Sequence, residues 1–141
     1  MRYLIDTPVI SELVKPDPEP KVARWVGSLE AEQVYTSVVT FGELAKGIEK
    51  LAGGRRKREL LRWVESDLKN WFGPRVLAVD LEVAERWGRL LARAQAAGRS
   101  LPAVDALIAA TALVHGLVLV TRNTRHFEVA GLEVLNPWQE S

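Results

Sequence analysis

The sequence contains no cysteine among its 141 residues, so it forms neither a disulfide nor a thiolate metal site. It has no apolar run near the roughly 18 residues that a membrane span needs, and no charged-then-apolar leader with a cleavage site. Neither sign of charge dominates, because 19 basic and 18 acidic residues leave a net charge of +1. Total charge therefore predicts no polyanionic partner. We expect a cytoplasmic protein without a membrane anchor.

The chain does contain short apolar runs that alternate with helical patterns. Its length predicts one domain over residues 1–141, and its 48% hydrophobic content is typical of globular proteins. Strands are predicted at 3–5, 34–38, 75–79, 117–121 and 132–135. Helices are predicted from Thr7-Pro8 onward and at 20–29, 41–51, 55–71, 81–97 and 102–116. This order predicts an α/β fold, with a largely parallel sheet covered by helices on both faces.

Two predicted strands end in an aspartate, at the edge of the sheet where α/β proteins place their active sites. Asp80 precedes a helix that has no better N-cap, so we interpret Asp80 as structural. After Asp6, Pro8 suits the first helical position and Thr7 suits the cap before it. Asp6 is then left without a structural role, and we interpret it as functional.

Two other carboxylates have both a structural and a functional interpretation. Glu43 follows Thr40 at the spacing of a capping box, in which a glutamate accepts from the cap amide. Asp105 falls in the first turn of an apolar helix, where it complements the helix dipole. That helix is predicted to be buried, however, and a buried carboxylate needs a partner. Both interpretations stay open for each residue.

Acids that converge at one edge of a sheet repel one another unless a cation joins them. Mg²⁺ prefers carboxylate oxygens. Asn123 has two interpretations: its side chain offers a neutral oxygen to the metal or to a bound water, or the residue is a turn asparagine. Arg122 and Arg125 flank Asn123 and are the favoured phosphate contacts. The denser basic cluster at 55–58 is interpreted as a solvated helix start.

Four segments carry a family resemblance: "YLIDTPVISEL", "VVTFGELAKGI", "DALIAATALVHGLVLVTRNTRHF" and "GLEVLNPW". They resemble the PIN-domain proteins, and above all the VapC-type toxins of bacterial type II toxin–antitoxin pairs, including the FitB-like branch. The resemblance spans nearly the whole chain and implies a three-layer α/β/α fold. It also implies an endoribonuclease that uses Mg²⁺ or Mn²⁺ to hydrolyse RNA phosphodiester bonds.

The same resemblance assigns the site residues. Asp6, Glu43 and Asp105 take the positions of the catalytic acids, with Asp6 and Asp105 as metal ligands. Asn123 takes a fourth position that is often an aspartate, which lowers the charge of the site. Thr121 stands where the family often has a hydroxyl near the metal. The implied partners are a cognate antitoxin, bound in an apolar groove near Trp25 and residues 56–72, and a second copy of the chain in a homodimer.

Two other hypotheses remain. In a receiver-type signalling module, Asp80 would accept a phosphoryl group, although Asp6 stands alone where such modules place an acidic pair. The second hypothesis is a noncatalytic RNA-binding domain, because Asn123 stands where a fourth acid is often found. A P-loop enzyme is excluded, since the chain has no glycine-rich turn ending in Gly-Lys-Ser or Gly-Lys-Thr. His115 and His126 are interpreted as capping or packing residues.

Overall fold

The computed structural model describes residues 1–129 and 131–139. Its strands are β1 (Tyr3–Ile5), β2 (Val34–Ser37), β3 (Val76–Leu77), β4 (Val118–Val120) and β5 (Val134–Leu135). They form a parallel sheet in the order β3-β2-β1-β4-β5. The central strand β1 therefore ends between β2 and β4, and the residues after all three strands meet at one edge.

Helices connect the strands and follow the predicted order. They are α1 (Thr7–Leu13), α2 (Pro20–Gly27), α3 (Val38–Glu49), α4 (Arg55–Arg62), α5 (Lys69–Phe72), α6 (Leu81–Ala96) and α7 (Ala103–His115). A π-helical segment, Trp63–Leu68, joins α4 to α5, so residues 55–72 are helical throughout. Among the helices of the described ranges, none has both the length and the apolar character of a membrane span.

Successive strand residues point to opposite faces of the sheet and enter two separate cores. Ile5 and Val120 pack with α1, α2, α3 and the 55–72 helix, whereas Leu4 and Leu119 pack with α6 and α7. The sheet is thus covered on both faces. The predicted three-layer α/β/α architecture is confirmed.

Several predicted boundaries differ from the structure by one to three residues, and two of these differences concern segments next to the candidate acids. Helix α3 begins at Val38 instead of Phe41, because the Ser37 hydroxyl caps it by accepting from the Val39 N–H at 3.0 Å. Strand β3 ends at Leu77, three residues before Asp80, and pairs with β2 at the edge of the sheet.

The strand order also contradicts the receiver-type hypothesis. Receiver modules use the order 2-1-3-4-5, which places the third strand beside the first. Here β2 separates β3 from β1. Asp80 therefore follows an edge strand, where it caps α6 instead of facing Asp6.

Candidate active site

A pocket of about 230 Å³ opens at the carboxyl edge of the sheet. Asp6 reaches it from the end of β1, Asn123 from the segment after β4, Glu43 from α3 and Asp105 from the first turn of α7. Thr7, Pro8 and Ser11 of α1 complete the lining. Four residues far apart in sequence, each a candidate from the sequence, thus surround one cavity.

Asp6 caps α1, which corrects the interpretation of Thr7 as the cap. Its backbone is extended, and its Oδ1 accepts a hydrogen bond from the Thr7 N–H at 2.8 Å. Thr7 is already the first helical residue and Pro8 the second. The premise that Asp6 lacks a structural role is therefore wrong, and its functional assignment depends on its surroundings.

Those surroundings disfavour a charge on Asp6. The residue is only 5% exposed, and burial raises the pKa of its carboxyl to about 6. Hydrogen bonds from the Thr121 hydroxyl, at 2.8 Å to Oδ2, and from Thr7 act in the opposite direction. The negative charges of Glu43 and Asp105 raise the pKa further, so the three carboxylates interact electrostatically.

Glu43 does not form the capping box that its spacing suggests. Ser37 caps α3, and Thr40 is a buried residue inside that helix. The Glu43 Oε1 instead accepts a hydrogen bond from the Thr7 hydroxyl at 2.5 Å. Thr7 therefore holds Glu43 at the pocket, a contact between α1 and α3 that the sequence alone did not reveal.

Asp105 has a histidine partner that the sequence analysis missed. The Nδ1 of His126 lies 2.9 Å from the Asp105 Oδ2. His126 belongs to the short 3₁₀ helix Thr124–Phe127, which directly follows Asn123. Its place three residues after Asn123, at the same strand exit, is the sequence signal that could have indicated this contact.

The remaining polar candidates lie around the pocket. Thr121 is fully buried. Its hydroxyl donates a hydrogen bond to the Asp6 carboxylate and accepts one from the Asn123 N–H at 3.2 Å. Arg122 and Arg125 are exposed and do not line the pocket. The Arg122 guanidinium lies 4.8 Å from the centre of the Trp138 ring. This cation–π contact orients Arg122 beside the site.

The basic cluster at 55–58 lies elsewhere. It begins α4, where Arg55 is exposed and pairs with Glu59 at 2.9 Å. The interpretation of this cluster as a solvated helix start is confirmed.

Glu12 is a buried acid that the sequence analysis did not single out. It accepts hydrogen bonds from the Glu19 N–H and the Lys15 ammonium, which lower its pKa and give it a local structural role.

The donor set of the pocket fits a hard divalent cation. Among the residues that the structure describes, three carboxylates and one amide line the pocket, and no lysine or arginine does. Within 1–129 and 131–139, no three acidic, histidine or cysteine side chains are grouped tightly enough to ligate one ion together. Mg²⁺ is commonly held by one or two carboxylates while it keeps several waters. Two carboxylates with water therefore match the arrangement better than a closed protein cage.

Comparison with known proteins places the chain in a family. The model of the PIN domain matches residues 3–132. The chain belongs to the PIN-domain family. This PIN domain is 36% identical to the "VapC ribonuclease Y4jK" of Sinorhizobium fredii, over 96% of the chain and 97% of that protein. It is 38% identical to the "Toxin FitB" of Neisseria gonorrhoeae, over 97% of the chain and 99% of that toxin.

A solved structure shows the same fold. The crystal structure of FitAcB from Neisseria gonorrhoeae superimposes with a TM-score of 0.92 at 38% identity, covering 98% of this chain and 99% of that one. The resemblance to VapC and FitB proteins is therefore confirmed over nearly the full length of this PIN domain.

A second, apolar cleft of about 250 Å³ lies away from the acids. Trp63, Leu68 and Trp71 line it from the 55–72 helix, and Val26 lines it from α2. Trp71 remains 46% exposed, whereas Trp25 packs edge-on against the Tyr3 ring at 5.1 Å. An apolar groove therefore exists along the 55–72 helix, as predicted, but Trp25 does not line it.

Proposed function

We propose that this PIN domain is an endoribonuclease that depends on Mg²⁺ or Mn²⁺ and hydrolyses RNA phosphodiester bonds. The observation that carries the proposal is the convergence of Asp6, Glu43 and Asp105 on one pocket, where burial and repulsion from the other two acids disfavour the charge of Asp6. A divalent cation removes that penalty. A close relative is named a ribonuclease, which supports the same chemistry.

The acidic side chains of the pocket have distinct tasks in this mechanism. A bound cation would supply Lewis-acid chemistry that polarises a phosphoryl oxygen and makes water a better nucleophile. Asp6 and Asp105 would hold it, and the hydrogen bonds from Thr121 and His126 orient these two carboxylates. Such outer hydrogen bonds commonly fix metal-binding side chains.

Other residues act on the water and the substrate. Glu43, held by the Thr7 hydroxyl, orients the attacking water by accepting a hydrogen bond from it. Asn123 contributes a neutral amide oxygen to the pocket. Because an asparagine occupies this fourth position, the site carries three acidic groups instead of four. Arg122 and Arg125, exposed beside the pocket, contact the RNA phosphates.

The biological role that fits this chemistry is that of the toxin in a toxin–antitoxin pair, acting as a single-domain protein in the cytoplasm. Similarity to the "Toxin FitB" over nearly the whole chain supports this role. A cognate antitoxin would inhibit the enzyme, with an apolar segment seated in the cleft of Trp63, Leu68 and Trp71. The active protein is a homodimer.

A nuclease assay tests the enzymatic proposal. Purified protein is incubated with a mixed-sequence single-stranded RNA and millimolar Mg²⁺ or Mn²⁺, with EDTA in a parallel reaction. We expect cleavage with either ion and none with EDTA. Cleavage that persists undiminished in EDTA would contradict the metal mechanism. RNA binding without cleavage in any ion would instead support the noncatalytic RNA-binding hypothesis.

A further inference from the structure

A small cleft lies beside the acid pocket, between the C-terminal end of α6 and the segment around Thr124–Phe127. Its volume of about 130 Å³ is comparable with that of an engineered protein cavity of about 150 Å³ that binds one benzene ring. The space therefore suits one planar ring. Apolar walls and a polar rim surround it. The walls include Leu90, Ala94, Leu101 and Val129, and the rim includes Arg93 and Arg99.

The backbone around this cleft is fixed by hydrogen bonds. Gly98 adopts φ +69°, which ends α6, and the Arg99 N–H then donates to the Ala94 carbonyl at 2.8 Å. The Arg99 side chain donates to the Glu128 carbonyl and lies 3.6 Å from the Glu128 carboxylate. The loop after α6 is thereby joined to the segment after β4. The cleft is preformed, which lowers the entropic cost of filling it.

His126 connects this cleft to the proposed catalytic pocket. The residue lines the cleft, and its Nδ1 also contacts the Asp105 carboxylate at 2.9 Å. Its side chain is 52% exposed, so one part of the ring remains accessible from the cleft. A molecule in the cleft would therefore lie one side chain away from an acid proposed to hold the metal.

We propose that this cleft binds one unpaired base of the RNA substrate, next to the phosphodiester bond that is cut. The assignment rests on the proposed ribonuclease function. Unpaired RNA bases are commonly bound by stacking on histidine rings or arginine guanidinium planes, and the rim offers His126, Arg93 and Arg99 for this contact. The apolar walls accept the faces of the base, and Arg93 on α6 can contact the adjoining phosphate. A base held in a duplex stays stacked and does not enter.

The test fills the cleft and measures RNA binding. Ala94→Phe places a ring inside the cleft, whereas Ala92→Phe adds the same ring at an exposed position of α6 that does not line it. Affinity for a fluorescent single-stranded RNA is measured by anisotropy in EDTA, so that binding is read without cleavage. Because stacking of one base contributes substantially to affinity, we expect Ala94→Phe to weaken binding about fivefold or more. Ala92→Phe should bind like the wild type, and affinity for a duplex RNA should not distinguish the two variants.

The outcomes separate this proposal from the ribonuclease proposal. Equal affinities of the two variants for single-stranded RNA would overturn the base-binding assignment, as would a wild type that binds no single-stranded RNA. If Ala94→Phe selectively weakens binding of single-stranded RNA but the wild type does not cleave RNA in Mn²⁺, the cleft would still be a base-binding site, and the ribonuclease proposal would be contradicted. Ala97→Phe, at the exposed rim of the same cleft, replaces Ala94→Phe if the latter does not fold.

Discussion

Asp6 and Asp80 have the same local role in different surroundings. Each precedes a helix, and each carboxylate accepts a hydrogen bond from a helical N–H, that of Thr7 at 2.8 Å and that of Val83 at 2.9 Å. Asp80 is exposed and follows an edge strand, whereas Asp6 is buried after the central strand. The negative charges of Glu43 and Asp105 act on Asp6.

This difference shows that a capping role does not exclude a functional one. An exposed carboxylate can cap a helix while it stays solvated, so capping explains Asp80 in full. A buried carboxylate beside two other acids is disfavoured as a charged group, and asparagine or serine would cap the helix without that cost. Burial among like charges, and not the absence of a cap, therefore distinguishes the proposed metal ligand.

The largest expected effect is on catalysis. Asparagine caps helices about as well as aspartate, so Asp6→Asn should fold but lose RNA cleavage by at least about 100-fold. Asp80→Asn is the matched control and should cleave at nearly the wild-type rate. Both are compared by initial cleavage rates in Mn²⁺. A folded Asp6→Asn protein with near wild-type activity would show that the Asp6 carboxylate is not needed for cleavage.

The pH dependence of stability should differ between the two positions. Because folding raises the pKa of Asp6 from 3.8 to about 6, the folded protein binds this proton more tightly than the unfolded chain. Asp6 therefore stabilises the metal-free fold below about pH 4, and this contribution is lost as the pH rises through about 6. A shift of this size corresponds to at most about 3 kcal/mol.

Urea unfolding in EDTA at several pH values measures this effect. The wild type should lose stability relative to Asp6→Asn between about pH 4 and pH 7. Asp80→Asn should keep the wild-type profile. Parallel profiles for the wild type and Asp6→Asn would show that burial does not disfavour the Asp6 charge.

The residue after each aspartate provides a smaller contrast. Thr7 donates its hydroxyl to Glu43, whereas Leu81 is 77% exposed. Thr7→Val keeps the side-chain shape but removes this hydrogen bond, and should lower the cleavage rate by about 10-fold. The loss should not add to that of Glu43→Gln in the double variant, because Thr7 acts through Glu43. Fully additive losses would assign Thr7 a separate role.

The smallest expected effect concerns stability alone. Asp80→Ala removes the cap of α6 and should lower the free energy of unfolding by about 1 kcal/mol. Asp80→Asn should restore most of that stability, and neither variant should change the cleavage rate. Urea unfolding and the RNA assay together check this. Loss of cleavage in folded Asp80→Asn would show that this residue does more than cap.

The sequence predicted the order of elements better than the contacts of the site. Alternating apolar runs sufficed for the strands and the two helical layers, since side-chain period and burial determine both. The position of Asp6 after a strand and of Glu43 and Asp105 near helix starts singled out these acids, and the resemblance assigned their roles; the structure places all three around one pocket. The contacts Thr7–Glu43 and Asp105–His126 join residues 36 and 21 positions apart. Local pattern carries no information about the first contact, and only the place of His126 after Asn123 could have indicated the second. The error about the cap of α1 was local, because Pro8 is compatible with either of the first two helical positions.

The metal-induced change in melting temperature tests the central claim most directly. Wild type, Asp6→Asn, Asp105→Asn and Asp80→Asn are each melted in EDTA and in millimolar Mn²⁺. A ligand that binds only the native state stabilises it by RT ln(1 + [L]/Kd), so Mn²⁺ should raise the melting temperature of the wild type and of Asp80→Asn. The rise should nearly vanish in Asp6→Asn and Asp105→Asn, while neither variant is less stable than the wild type in EDTA. An undiminished Mn²⁺ shift in both of these variants would contradict the account, because the metal would then be bound elsewhere.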